Sequence, residues 1–189
     1  AIFIYKKTGN PFIPLSISEN RIKIDEEKLH QVSDRLVMGV NGDPGDIAQF
    51  SQFVAKNIQL YKMRNVYELS TEAAVHFTRK NLSPYTVNLL IAGYDDAEGG
   101  QLYYMDYLAS SLKVPFASHG FGGMLSMSIL DHYYKPGKML IFQEAYEVLR
   151  KCVQEVNNRL FVSLPQFQVK VVNKNGVKTL PTIHPGKKN

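Results

Sequence analysis

Apolar residues at Ile47, Phe50, Val54, Ile58 and Tyr61 recur at spacings of three and four, which predicts a helix with one buried stripe. Its start is well marked. Asp43 is a good N-cap, and Pro44 suits the first helical position, where its missing N–H costs nothing. Asp46 stands where an acid completes a capping box and meets the positive end of the helix. A second helix is predicted from near Ser70, with Glu72 and Ala73 in its first turn. It carries Ala74, Phe77 and Leu82, and Pro84 ends it. Gly120, Gly122 and Gly123 lead into a third, through Met127, Leu130 and Tyr134. A fourth holds Ala145, Leu149, Cys152 and Val156, again at helical spacing.

Elsewhere the pattern is that of strands. Residues 87–94 are nearly all apolar, as expected of a strand covered on both faces. Residues 95–100 read as a turn, and 101–107 as a returning strand that alternates Leu102, Tyr104 and Asp106 against Tyr103, Met105 and Tyr107. Residues 114–118 form another. Residues 167–172 and 177–180 make a hairpin around Lys174-Asn175-Gly176. Upstream, residues 1–17 read as two short strands around Thr8-Gly9-Asn10, the second weakened by Pro11 and Pro14. Residues 21–24, 29–32 and 35–40 are short strands as well. The order is strands, two helices, strands, two helices, strands. Helix pairs outside and mostly antiparallel strands inside predict an α+β fold, a four-layer α-β-β-α sandwich. The expected organisation is a single domain over 1–189, with 181–189 as a C-terminal tail.

Composition narrows the class. The 189 residues suit one domain, and 44% hydrophobic content suits a folded chain with a sizeable core. A net charge of +5 makes an acidic partner conceivable, but lysines and acids are interleaved and form no long basic block. A nucleic-acid-binding module therefore has no motif in its favour, and its mark would be salt-sensitive binding. The basic Lys187-Lys188 beside Asn189 reads as a solvated tail. One cysteine, Cys152, makes no intrachain disulfide and points to a reducing compartment; within a helical stripe it is expected to be inert. No stretch approaches the ~18–20 apolar residues of a membrane helix, and residues 1–5, leading into Lys6-Lys7, do not read as a secretory signal.

Candidate chemistry is sparse. Ser118 and His119 are neighbours, but a triad needs spatial geometry, and no Gly-x-Ser-x-Gly elbow is present. His119 reads as a turn residue or a satisfied histidine. His30, His76, His132 and His184 lack metal-ligand spacing. Asp95, Asp96 and Glu98 lack the pattern of a calcium loop and read as an acidic hairpin turn. Gly42-Asp43-Pro44-Gly45-Asp46 is glycine-rich at a helix start, but its aspartates repel phosphate, so capping is the better reading. Tyr103, Tyr104, Tyr107, Tyr133 and Tyr134 divide between core packing and interface. Gln168, Lys170 and the tail are candidate arms reaching a neighbour. No catalytic, cofactor-binding or metal-ligating residue is assigned, and no cofactor or metal is expected.

Several blocks in order carry a family likeness: Gly42-Asp43-Pro44-Gly45-Asp46, Leu60-Tyr61-Lys62-Met63-Arg64-Asn65, Phe77-Thr78-Arg79-Lys80-Asn81-Leu82, Pro84-Tyr85-Thr86-Val87-Asn88-Leu89-Leu90, Tyr103-Tyr104-Met105-Asp106-Tyr107-Leu108-Ala109 and Leu149-Arg150-Lys151-Cys152. From residue 17 to 180 the chain resembles the beta subunits of the 20S proteasome, and within them the non-catalytic type-2 kind at the fourth ring position. Residues 1–16 match poorly, the junction at 82–84 is shorter and residues 135–143 are slightly longer than in that family. The resemblance implies the fold of the N-terminal-nucleophile hydrolases. It implies ring neighbours, alpha-ring subunits and the opposite beta ring as partners, with no nucleic acid and no membrane, in cytoplasm and nucleus.

Active members of that family attack the peptide carbonyl with an N-terminal threonine whose own α-amine is the base. Here the first residue is Ala1, and Thr8 is internal. Pro14-Leu15-Ser16-Ile17 lacks the aspartate expected at the end of the second strand. His119-Gly120-Phe121-Gly122-Gly123 replaces the glycine–serine turn of the oxyanion site, and Leu160-Phe161-Val162-Ser163-Leu164-Pro165 replaces a late aspartate–serine–glycine stretch. The expectation is therefore a non-catalytic structural subunit that is unstable alone and works by assembly. The alternative is an active N-terminal threonine hydrolase whose mature N-terminus is not Ala1.

Overall fold

The computed structural model describes residues 2–5, 15–19, 28–135, 142–160 and 166–185. The strand expected at 21–24, the Thr8-Gly9-Asn10 turn, Ala1 and Lys187-Lys188 lie outside the described residues. Two five-stranded antiparallel sheets form the centre. The first runs β10-β9-β2-β1-β8, with β1 at Ile2–Tyr5, β2 at Leu15–Glu19, β8 at Phe116–His119, β9 at Phe167–Asn173 and β10 at Gly176–Ile183. The second runs β3-β4-β5-β6-β7, with β3 at Leu29–Ser33, β4 at Leu36–Gly42, β5 at Val87–Asp95, β6 at Gly99–Met105 and β7 at Ser111–Lys113. Helices α1 (Pro44–Asn65) and α2 (Thr71–Asn81) cover the second sheet, and α3 (Phe121–Tyr133) and α4 (Phe142–Arg159) cover the first.

Three apolar layers follow from strand alternation. On β5, Val87, Leu89 and Ile91 face α1 and α2, while Leu90, Ala92 and Tyr94 face the other sheet. Strand β4 divides the same way, with Met38 and Val40 outward and Val37 between the sheets. On β9, Phe167, Val169 and Val171 meet Leu149, Cys152, Val153 and Val156 of α4. The middle layer is closed by Leu29, Leu102, Ala117 and Val172. The predicted four-layer α-β-β-α sandwich of the N-terminal-nucleophile type is the fold observed.

Local predictions hold at most helix ends. The Asp43 carboxylate accepts from the amides of Gly45 and Asp46 at 2.9 and 3.3 Å, and Ser70 Oγ accepts from Ala73 N at 3.2 Å. The role expected of Asp46 is different. Its carboxylate reaches out of the helix to accept from Thr86 N at 2.8 Å, pinning the entry to β5. Gly42 is needed at this junction, because a Cβ there would stand 2.3 Å from Thr86 O. The returning strand β6 stops at Met105, so Tyr107 lies in an exposed turn held by the Asp106 carboxylate, which accepts from Leu108 N and Ser110 N. A short strand, β7, follows that turn and was not expected. Strand β10 continues past Leu180 through an irregularity to Ile183, beyond the hairpin arm expected to end at 180.

Candidate functional site

The corner where β1 meets β8 and α3 is where the resemblance places chemistry. Ile2 of β1 pairs with His119 of β8. Gly120, at φ 84°, turns the chain into α3, a backbone geometry that favours glycine. His119 is buried. Its ring stacks on Tyr104 with centroids 4.4 Å apart, and Nε2 lies 3.2 Å from Leu89 O, so the imidazole joins the two sheets. Burial holds its pKa below the usual histidine value. Ser118 Oγ donates to Gly123 O at 3.0 Å and has no contact with the His119 ring. Ser118 and His119 thus serve the fold, and neither is placed as a nucleophile or base.

Other candidates resolve into structural roles. The Asp95 carboxylate accepts from Thr71 N at 3.1 Å and from Gln101 Nε2 at 2.6 Å; Arg35 donates to Asp96 at 2.9 Å; Lys113 donates to Glu98 at 2.6 Å. The acidic hairpin is an anchor for α2 and β4. No cluster of metal-ligating side chains occurs among the described residues. Cys152 is buried, which pushes its thiol up to about 12 and leaves it unreactive as a thiolate. Lys170, expected as an arm, is buried and donates to Leu29 O at 2.7 Å across the sheets. The tyrosines divide: Tyr103 is buried and donates to Gln101 Oε1 at 3.0 Å, Tyr104, Tyr133 and Tyr134 are half-buried, and Tyr107 is exposed.

The molecule does carry two unpartnered apolar faces, one on each outer layer. Helix α3 is inside out with respect to size. Gly122, Gly123 and Ser126 lie against the sheet, with Gly123 close enough that a Cβ would meet Ser118 at 3.1 Å. Phe121 and Met124 point outward at 86% and 81% exposure, and Met127, expected in the buried stripe, is 41% exposed. On the opposite layer the end of α1 exposes Leu60, Met63, Val66 and Tyr67. Patches of this kind mark interaction sites. Helical spacing alone missed the first face, because it assumes that the large residues of a helix go inward; the glycine run at its start was the available signal.

Comparisons with known proteins agree with the fold. The family model Proteasome subunit matches residues 16–172. The chain belongs to the proteasome subunit family. Within that family it is kin to the beta type-2 subunits: it is 40% identical over 187 residues to proteasome subunit beta type-2-A of Arabidopsis thaliana, covering 93% of this chain and 91% of that protein. It is 39% identical over 162 residues to proteasome subunit beta type-2 of Oryza sativa, covering 82% and 76%. It is 36% identical over 165 residues to proteasome subunit beta type-4 of Saccharomyces cerevisiae, covering 83% and 82%.

These relatives correct the expected non-catalytic assignment. They are named only as beta type-2 and type-4 subunits, within a family built on a threonine nucleophile, and no name sets them apart as non-catalytic. The premise that Ala1 lacks the nucleophile fails too, since where this sequence begins does not fix the mature terminus. The non-catalytic reading is withdrawn, and the threonine-hydrolase alternative takes its place.

Proposed function

We propose that this chain fills one place in the beta ring of a 20S proteasome and acts there as part of a protein-degrading complex. Its partners are ring neighbours, an alpha-ring subunit and the opposite beta ring, in cytoplasm and nucleus. The observation that carries the reading is the pair of apolar faces on opposite outer layers, in a chain of this family. A subunit held between neighbours needs such faces, and a monomer gains nothing from Phe121 and Met124 in water. Native gel electrophoresis of cell extract with the tagged chain, with peptidase activity assayed in each band, tests it. Co-migration with a large peptide-hydrolysing particle is expected; migration alone overturns it.

On chemistry, the reading carried forward is an N-terminal threonine hydrolase with a mature terminus other than Ala1. Family membership supports it. Such a residue would attack with its hydroxyl while its freed α-amine takes the proton. Thr8, the first threonine of the chain, lies outside the described residues. Intact-mass measurement of the chain from the assembled particle is the test: a terminus at threonine supports hydrolysis by this subunit, and any other terminus removes it.

A further inference from the structure

The exposed end of α1 is built against its own stability. Val66, the first residue beyond the helix, has φ 66° and ψ 4°, and its N–H donates to Lys62 O at 2.9 Å. This left-handed position at a helix end ordinarily belongs to glycine, and a β-branched residue there is strained. The Val66 side chain is also 91% exposed, beside Met63 at 72% and Tyr67 at 59%. Strain and apolar exposure coincide at one residue, and neither benefits the isolated chain.

The surroundings hold that conformation in place. Lys62 donates to Asp34 and Glu68, both at 2.7 Å, bridging the β3–β4 turn and the α1–α2 connection. The Tyr61 and Tyr67 hydroxyls lie 2.6 Å apart, with the rings edge to face. A strained residue fixed by several polar contacts is one whose presentation matters. Beside it, a groove of about 260 Å³ runs between α1 and α2, lined by Leu60, Tyr61, Leu69 and Phe77, with Arg64 at its rim. Arg64 is exposed and makes no ion pair among the described residues.

We propose that Val66 and Met63 form a rigid knuckle that inserts into an apolar pocket of a different proteasome subunit, whose carboxylate faces Arg64. The inference rests on the proteasome-subunit reading and adds the residues and charge that recognise one neighbour. Charge excludes a second copy of this chain: a two-fold contact centred on the knuckle would bring Arg64 near its own mate. A partner carboxylate removes that conflict and accounts for the uncommitted guanidinium.

The test uses Val66→Gly and Arg64→Glu in the full chain, each tagged and co-expressed with the untagged wild type, and reads the share entering the large particle. Glycine relieves the left-handed strain, so thermal unfolding of the free Val66→Gly chain should shift upward by about 2–4 °C. Incorporation of the same variant should fall about tenfold, as for loss of a buried anchor. Arg64→Glu should lower incorporation with no downward shift in unfolding. Val66→Asn, which tolerates the left-handed backbone but is polar, should lose incorporation as well. Unchanged incorporation of Val66→Gly overturns the proposal, and so does reduced incorporation with a lowered unfolding temperature, which would mark a structural role. Loss of a homodimer of the free chain in the variant overturns it in favour of a second copy. If the wild-type chain itself stays out of the particle, the proteasome-subunit reading fails, and not the knuckle alone.

Discussion

The two outer layers of this molecule are attached by different physics. The α1–α2 layer is stitched to its sheet by polar contacts of long sequence separation: Asp46 to Thr86 N, Asp95 to Thr71 N and Lys62 to Asp34. Charged acceptors on backbone amides make strong, directional bonds, and they fix helix position to a fraction of an ångström. The α3–α4 layer is held mostly by shape. Helix α4 buries Ala145, Leu149, Cys152 and Val156, and α3 lies close to its sheet through Gly122, Gly123 and Ser126. Helix α3 starts at Gly120 with no side-chain cap. One layer is positioned by polar anchors, the other by apolar contact, yet both leave large apolar residues facing outward.

Core truncation should give the largest effects and test whether the layers share one cooperative unit. Phe50→Ala under α1 and Leu149→Ala under α4 should each cost about 2–5 kcal/mol in urea unfolding, since both side chains are fully buried. A single transition in both variants would show one unit; separate transitions would split the layers. Next comes Asp95→Ala, which leaves Thr71 N and Gln101 without their acceptor and should cost about 1–3 kcal/mol. No single polar deletion in the α3–α4 layer should match it.

Asp43→Ala should cost about 1 kcal/mol by uncapping α1. A pH titration sharpens the middle layer. Burial depresses the folded pKa of His119, so the unfolded chain binds the proton more readily. The stability that the neutral ring contributes is fully present above about pH 6.5 and declines as pH falls below it. His119→Phe should flatten that part of the stability–pH profile. The mildest probe is alkylation at pH 8. Cys152 should stay unlabelled in the folded chain and react on unfolding, because its thiol is pushed up to about 12.

What was legible in the sequence followed from local physics. The α1 start at Asp43-Pro44 and the α2 cap at Ser70 depend on neighbours two or three residues away, and were found as predicted. The stripes of α1 and α4 depend on helical period alone. The same local logic misplaced Met127 and Tyr107. It could not foresee that α3 would press its glycines against β8, nor that the strand would stop at Met105 before the Asp106 turn.

Sequence alone therefore determined the elements, their order, the layered class and the family, because periodicity, capping and turn chemistry are written within a few residues. Only the tertiary structure decided that Asp46 meets Thr86, 40 residues on, and that His119 lies against Leu89, 30 residues back. It also decided that Lys170 is buried and that Val66 stands exposed in a left-handed turn. Each of these depends on which surfaces two sheets and two helical layers bring together, and a residue's chemistry is set by that company as much as by its side chain.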